Sequence, residues 1–376
     1  MYDTLNTLLL PIDKHRISED MGYREGQIGH AILAHEEEGI PDIEAADIVF
    51  IGCTEQRGAG LLHESSAADA VRSALYNLYY WHHDIVLADL GNVRTGKSKT
   101  DTYAALKMVQ HELTEMGKLV VILGGSHDLT LAQYNAFADN KELIDAVGVD
   151  AVVDIHIGSP LKSESFLMDL LTADPNYMNH YSHIGFQSYF VHPRLLETMD
   201  KLRFDCFRVG KVREQIEEME PVVRNAHLFT FDISAIAHAY APANTVTPNG
   251  LTGEDACILM QYAGMSTHMR SIGLYGYRPE HDRESLTAKQ LAQMIWYLMD
   301  GRSRGLREAH IDERESFNEY HVTFSDIDTL FLQSKRTGRW WMQLPDKKFI
   351  ACSYRDYQVA AANEYPERWL RFQERS

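Results

Sequence analysis

Short apolar runs separated by amphipathic stretches repeat along most of this chain. Asp47–Cys53 (DIVFIGC) is the first β-branched run, and Asp84–Ala88 (DIVLA) the second. Lys118–Thr130 (KLVVILGGSHDLT) breaks at a glycine pair and delivers His127, and Ala151–Pro160 (AVVDIHIGSP) ends in Asp154 and His156. Ser182–Gln187, Asp205–Val209, His227–Asp232 and Ser271–Tyr275 complete a set of about eight. Runs that are apolar on both faces, with helical patterns between them, predict a parallel sheet covered on both sides. Helices are expected from Ser65 or Ser66 through Tyr80, from Thr100 or Asp101 to about Met116, and over Thr287–Asp300, where Leu291, Met294, Ile295 and Leu298 share a face.

The texture changes after Gly301. Arg302–Glu315 is dense in charge, and short alternating runs at Tyr320–Phe324, Trp340–Met342 and Phe349–Ala351 precede an aromatic helix near Tyr357–Phe372. This divides the chain into an N-terminal extension (1–46), a main α/β domain (47–300) and a C-terminal appendage packed on it (301–376). The Trp340–Trp341 pair is expected in core or interface.

A net charge of −18 removes nucleic acid and anionic membrane surfaces as partners, because either demands a basic face. No run reaches membrane-spanning length, and the opening MYDTLNTLLLPIDKHR lacks a signal peptide's charged start and cleavage site. The four cysteines are widely separated, which fits reduced thiols and a cytoplasmic location.

Three of the apolar runs end in side chains that ligate metals: His127, then Asp154 and His156, then Asp232. Recurrence of such groups at strand ends is what a chemical site at the edge of a parallel sheet requires. The order Gly-Gly-x-His, Asp-x-His, Phe-Asp-x-Ser, followed by Pro-x-Gly-Leu-Thr at Pro248–Thr252, resembles the ureohydrolases: arginase, agmatinase and formimidoylglutamase. Ile184-Gly185-Phe186-Gln187 and the segment after it are most similar to the formimidoylglutamase branch. The resemblance implies a three-layer α/β/α sandwich around an eight-stranded parallel sheet, arginase-like. It also implies a site of two histidines and four aspartates holding two manganese ions that activate a shared hydroxide.

Set against that pattern, Asp-x-His-x-Asp falls on Asp154-Ile155-His156-Ile157-Gly158 and Asp-x-Asp on Asp232-Ile233-Ser234. Gly158 and Ser234 then stand where carboxylates are lost. The family's Val-Glu-Val-Asn-Pro becomes Tyr275-Gly276-Tyr277-Arg278-Pro279, so Gly276 replaces the substrate-binding carboxylate. Two carboxylates do not balance two divalent cations, which argues against a full dimanganese centre and leaves none or one Mn, Zn or Fe ion on His127, Asp154, His156 and Asp232. The expectation is a pseudoenzyme that binds a small molecule or a protein partner. The competing expectation is a single-metal hydrolase of a linear amidine or guanidino C–N bond, using metal-bound hydroxide. Which residues would be catalytic is unassigned, and a homo-oligomer stays open.

Overall fold

In the computed structural model, which describes residues 2–18 and 22–375, ten strands form one sheet. They are β1 (Leu9–Leu10), β2 (Leu33–Ala34), β3 (Ile48–Gly52), β4 (Leu87–Val93), β5 (Leu119–Leu123), β6 (Ile144–Val149), β7 (Met178–Phe186), β8 (Asp205–Arg208), β9 (Leu228–Asp232) and β10 (Ser271–Tyr275). Eight of them run parallel in the order β4-β3-β5-β10-β9-β6-β7-β8, β2 pairs with β4 as a ninth parallel strand, and β1 pairs with β4 antiparallel. Central strands β3, β5 and β10 are buried at every position, as strands covered on both faces must be.

Helices cover both faces. On one side Ala67–Tyr76, Gly253–Met265 and Leu286–Leu306 pack on the largest apolar cluster, and on the other Lys99–Glu115 closes a second. Lys99–Glu115 starts at a capping box in which Ser98 accepts from Asp101 N and Asp101 accepts from Ser98 N, which fixes its first turn.

Two strand expectations are corrected. Ala151–Pro160 is not a strand: β6 lies earlier, at Ile144–Val149, and the ladder stops where β9 turns into the short helix Ile233–Ala235. The β-branched residues of 151–157 mimic a strand, whereas Asp145 and Gly148 disguise the real one. Likewise β4 begins at Leu87 and continues through Asp89, Gly91 and Asn92, polar residues that pattern reading assigns to a turn.

Helix Leu286–Leu306 runs past Gly301, and the antiparallel sheet β11 (Phe317–Phe324), β12 (Ile327–Ser334), β13 (Trp340–Gln343) and β14 (Phe349–Cys352) follows. Pro366 separates two final helices, Tyr354–Ala361 and Glu367–Arg375. Trp340 lies in this region's core, and Trp341 lies under Arg224, 4.5 Å from its guanidinium carbon.

The last helix is tied to the main sheet through Asp205 on β8, which accepts from Arg371 at 2.5 Å, Arg375 at 2.7 Å and His180 at 3.1 Å. Burial opposes this carboxylate's charge, but His180 and Arg375 outweigh it and hold its pKa well below the usual range. A depressed acid contributes stability in full above its unfolded pKa of about 4 and loses it as pH falls toward the folded value. Asp205→Asn is therefore expected to lower stability by roughly 1–3 kcal/mol at pH 7, with the gap to wild type closing on acidification below about pH 4, in urea unfolding at several pH values.

Candidate metal-ligand site

The C-terminal ends of β5, β10, β9 and β6 are neighbours in the sheet, and the site is built there. After β5, Gly124 and Gly125 both have positive φ (87° and 81°). A Cβ at Gly125 would meet Leu129 Cδ1 at 2.4 Å and Glu55 O at 2.7 Å, so the turn that delivers His127 requires glycine. The imidazole is buried between Phe166 and Tyr275. Its Nε2 faces Thr230 Oγ1 at 3.1 Å, which leaves Nδ1 aimed at the carboxylates.

Three carboxylates converge on that nitrogen. Asp150, immediately after β6, has Oδ2 at 2.9 Å, Asp154 Oδ2 lies at 3.3 Å and Asp232 Oδ2 at 3.9 Å. His127, Asp150 and Asp232 each offer a ligand atom within 4.8 Å of the others. Asp150 Oδ1 accepts from Ser234 Oγ at 2.5 Å and from Val152 N at 3.0 Å, while Asp232 Oδ1 accepts from Ser234 N at 2.8 Å.

The charges respond to this crowding. Burial opposes the imidazolium, but the Asp150 and Asp154 hydrogen bonds outweigh it and hold His127 well above its ordinary value. Burial also opposes the Asp150 charge, and His127 and Ser234 overcome it, so Asp150 stays ionised. Asp154 is pushed well up by burial and by the Asp150 charge, and Asp232 is pushed up to about 6 by the same two causes. Two carboxyls thus retain protons more readily because one imidazolium cannot balance three anions.

Of the residues expected from the sequence, His127, Asp154 and Asp232 come together. His156 does not: its side chain is 72% exposed, and its Nδ1 faces Glu164 Oε2 at 3.4 Å. It belongs to the loop that replaces the expected strand, so the alternation that would have aimed it inward does not exist. Gly158 lies further along that exposed loop at φ 85°, with nothing within 4 Å of where a Cβ would sit. Gly276, at φ 77°, is pressed against Asp232, whose Oδ2 would lie 2.4 Å from an added Cβ. Ser234 is in the cluster. The group missed by sequence reading is Asp150, and its signal was available: Asp150-Ala151-Val152-Val153-Asp154 carries two aspartates four apart directly after a buried run.

The cluster forms the floor of a cavity of 430 Å³ whose walls include Gln56, Ser126, His156, Glu164, Asn244 and Arg278. Among the described residues no helix is long and apolar enough to cross a membrane.

Comparison with known proteins agrees with this architecture. The arginase family model matches residues 46–300. Formimidoylglutamase of Vibrio cholerae is 22% identical over 270 residues, covering 64% of this chain and 79% of its own. That of Cupriavidus pinatubonensis is 22% identical over 265 residues, covering 65% and 82%. Among solved structures, Bacillus subtilis formimidoylglutamase superposes with a TM-score of 0.64 at 17% identity, covering 73% of this chain and 92% of that one. Trypanosoma cruzi formiminoglutamase with Mn2+ gives 0.63 at 15%, covering 70% and 95%. The chain belongs to the arginase family, near its formimidoylglutamase branch.

Proposed function

We propose that this protein is a formimidoylglutamase-like binder of a small polar molecule, holding one divalent cation where its family holds two, and lacking two-manganese hydrolysis. One observation carries the reading: His127, Asp150 and Asp232 each offer a ligand atom within 4.8 Å of the others, with Asp154 Oδ2 beside them at 3.3 Å from His127 Nδ1. The donor set fits one cation. Three carboxylate oxygens and one imidazole suit Mn2+, Fe2+ or Zn2+, and a divalent charge relieves the crowding that pushes up the pKa of Asp154 and Asp232.

A second cation does not fit. When the family's Asp-x-His-x-Asp is anchored on the end of β6, it falls on Asp150-Ala151-Val152-Val153-Asp154, so the replaced ligand is the central histidine, now Val152. Ser234 replaces the remaining aspartate, and its hydroxyl is already committed to Asp150. An aliphatic side chain and one engaged hydroxyl offer no charge and little donor capacity to a hard cation.

The residues have distinct parts in this reading. Thr230 orients His127 so that Nδ1 faces the cation, Ser234 and the Val152 amide hold Asp150, and the Ser234 amide holds Asp232. A bound cation supplies Lewis acidity and can lower the pKa of a coordinated water. The cation is thus also compatible with a second reading, a one-cation hydrolase of a linear amidine, which the three retained carboxylates favour.

Asp154→Asn separates structure from function here. It is expected to lower Mn2+ affinity at least about tenfold by calorimetry, because a charged oxygen ligand is lost. The Mn2+-loaded wild type should give no ammonia or formamide release from N-formimino-L-glutamate. Turnover abolished by Asp154→Asn would select the hydrolase reading, and unchanged Mn2+ affinity would refute the cation site.

A further inference from the structure

The outer wall of the cavity carries a guanidinium with no acidic partner. Among the described residues, the one side-chain group that Arg278 bonds is Thr245 Oγ1, at 2.9 Å from Nη2. Several more deeply buried arginines pair with carboxylates: Arg72 with Asp89, Arg224 with Glu220 and Arg339 with Glu308. Five N–H donors make a planar fork suited to bidentate recognition of a carboxylate, and most of Arg278's are uncommitted. The acidic side chain nearest in role, Glu164 on the same wall, is engaged with Ser159 at 2.6 Å and faces His156.

The backbone holds this side chain in place. Pro279 restricts the residue before it to extended conformations, and Arg278 has φ −122° and ψ 103°. On its other side Tyr277 is buried, with its hydroxyl donating to Asp282 Oδ2 at 2.9 Å, and Gly276 is wedged against Asp232. A pre-placed guanidinium that lines the cavity without an acidic partner offers its free N–H donors to an anionic group of a ligand. The buried Ser126 hydroxyl, which lines the same cavity, has no hydrogen-bond partner among the described residues.

We propose that Arg278 is the ligand-selecting residue of this cavity, and that the ligand is a small molecule whose carboxylate binds its guanidinium while an uncharged or cationic polar group faces the aspartate cluster. This rests on the cavity being a ligand site and is independent of the number of cations. It selects against guanidino compounds without a carboxylate, for which Gly276 offers no counter-charge and Arg278 is repulsive.

The test is calorimetric titration of the full-length, Mn2+-loaded chain with N-formimino-L-glutamate and with agmatine, which has no carboxylate. Wild type should bind the first at least about tenfold more tightly. Arg278→Gln should weaken it by about 10- to 100-fold and Arg278→Lys by less, neither should alter Mn2+ content, and agmatine binding should tighten in Arg278→Gln as the repulsion is lifted. Unchanged affinity in Arg278→Gln, equal binding of agmatine, or binding of neither probe by wild type overturns the assignment. A chain that holds no Mn2+ fails the cation reading alone, because the Arg278 comparison then runs on the cation-free protein with the same expected ratios.

Discussion

Val152→His combined with Ser234→Asp is expected to raise the Mn2+ content from about one ion to about two per chain. Val152 is half-buried and lines the cavity, and its contribution to Asp150 comes from its backbone N–H, which the substitution keeps. A histidine there supplies imidazole opposite Asp150, and an aspartate at 234 supplies the charge a second cation needs. Ser234 Oγ lies 2.5 Å from Asp150, so a fourth carboxylate meets like charge when no cation is bound. The cation-free double variant should therefore be less stable than wild type by about 2–4 kcal/mol, with Mn2+ restoring the loss. Gly158→Asp is the control. That position is exposed with positive φ, so the change should leave Mn2+ content unaltered and cost roughly 1 kcal/mol of backbone strain. Elemental analysis decides: if Gly158→Asp gains the ion and the double variant does not, the register from Asp150 is wrong.

Arg72→Met is expected to destabilise the fold by about 3–5 kcal/mol without touching the cavity. Arg72 is fully buried, and each of its N–H groups is used: Nε and Nη2 bond Asp89 at 2.8 and 2.9 Å, Nη2 also donates to Gly91 O, and Nη1 bonds Asp69 and Asn92. It joins helix Ala67–Tyr76 to β4. Removing the guanidinium leaves the carboxylate of Asp89, itself buried, with the Tyr76 hydroxyl and the Gly91 N–H as its partners among the described residues. An unpaired buried charge costs several times a lost surface pair. Adding Asp89→Asn to Arg72→Met should recover part of the loss in urea unfolding. A loss below about 1 kcal/mol, or no recovery, would show that the pair does not hold helix to strand.

Strands β3, β5, β9 and β10 were legible because a strand buried on both faces reads as an uninterrupted apolar run, whereas the expected set of about eight included 151–160, which is no strand, and left out β6. What pattern could not show was polarity satisfied inside the fold. Asp89 and Asn92 read as turn residues because their partner, Arg72, lies on a helix earlier in the chain. The same blindness misplaced the site. Asp154-Ile155-His156 imitates the family motif in both residue type and apolar flanks, and only the ladder of β6 on β9 fixes the strand end at Val149. Four residues of shift exchange an exposed histidine for a buried aspartate. His127 and Asp232 lie together as the sequence led one to expect, because a glycine pair and a strand end mark their backbone geometry directly.

The measurement that bears most directly on the whole account is Mn2+ stoichiometry of the purified full-length chain, by elemental analysis after loading and desalting, in wild type and in Asp150→Asn. One ion per chain, lost in Asp150→Asn and kept in His156→Ala, is the predicted result. Two ions per chain, or one ion that survives Asp150→Asn and disappears with His156→Ala, would contradict it.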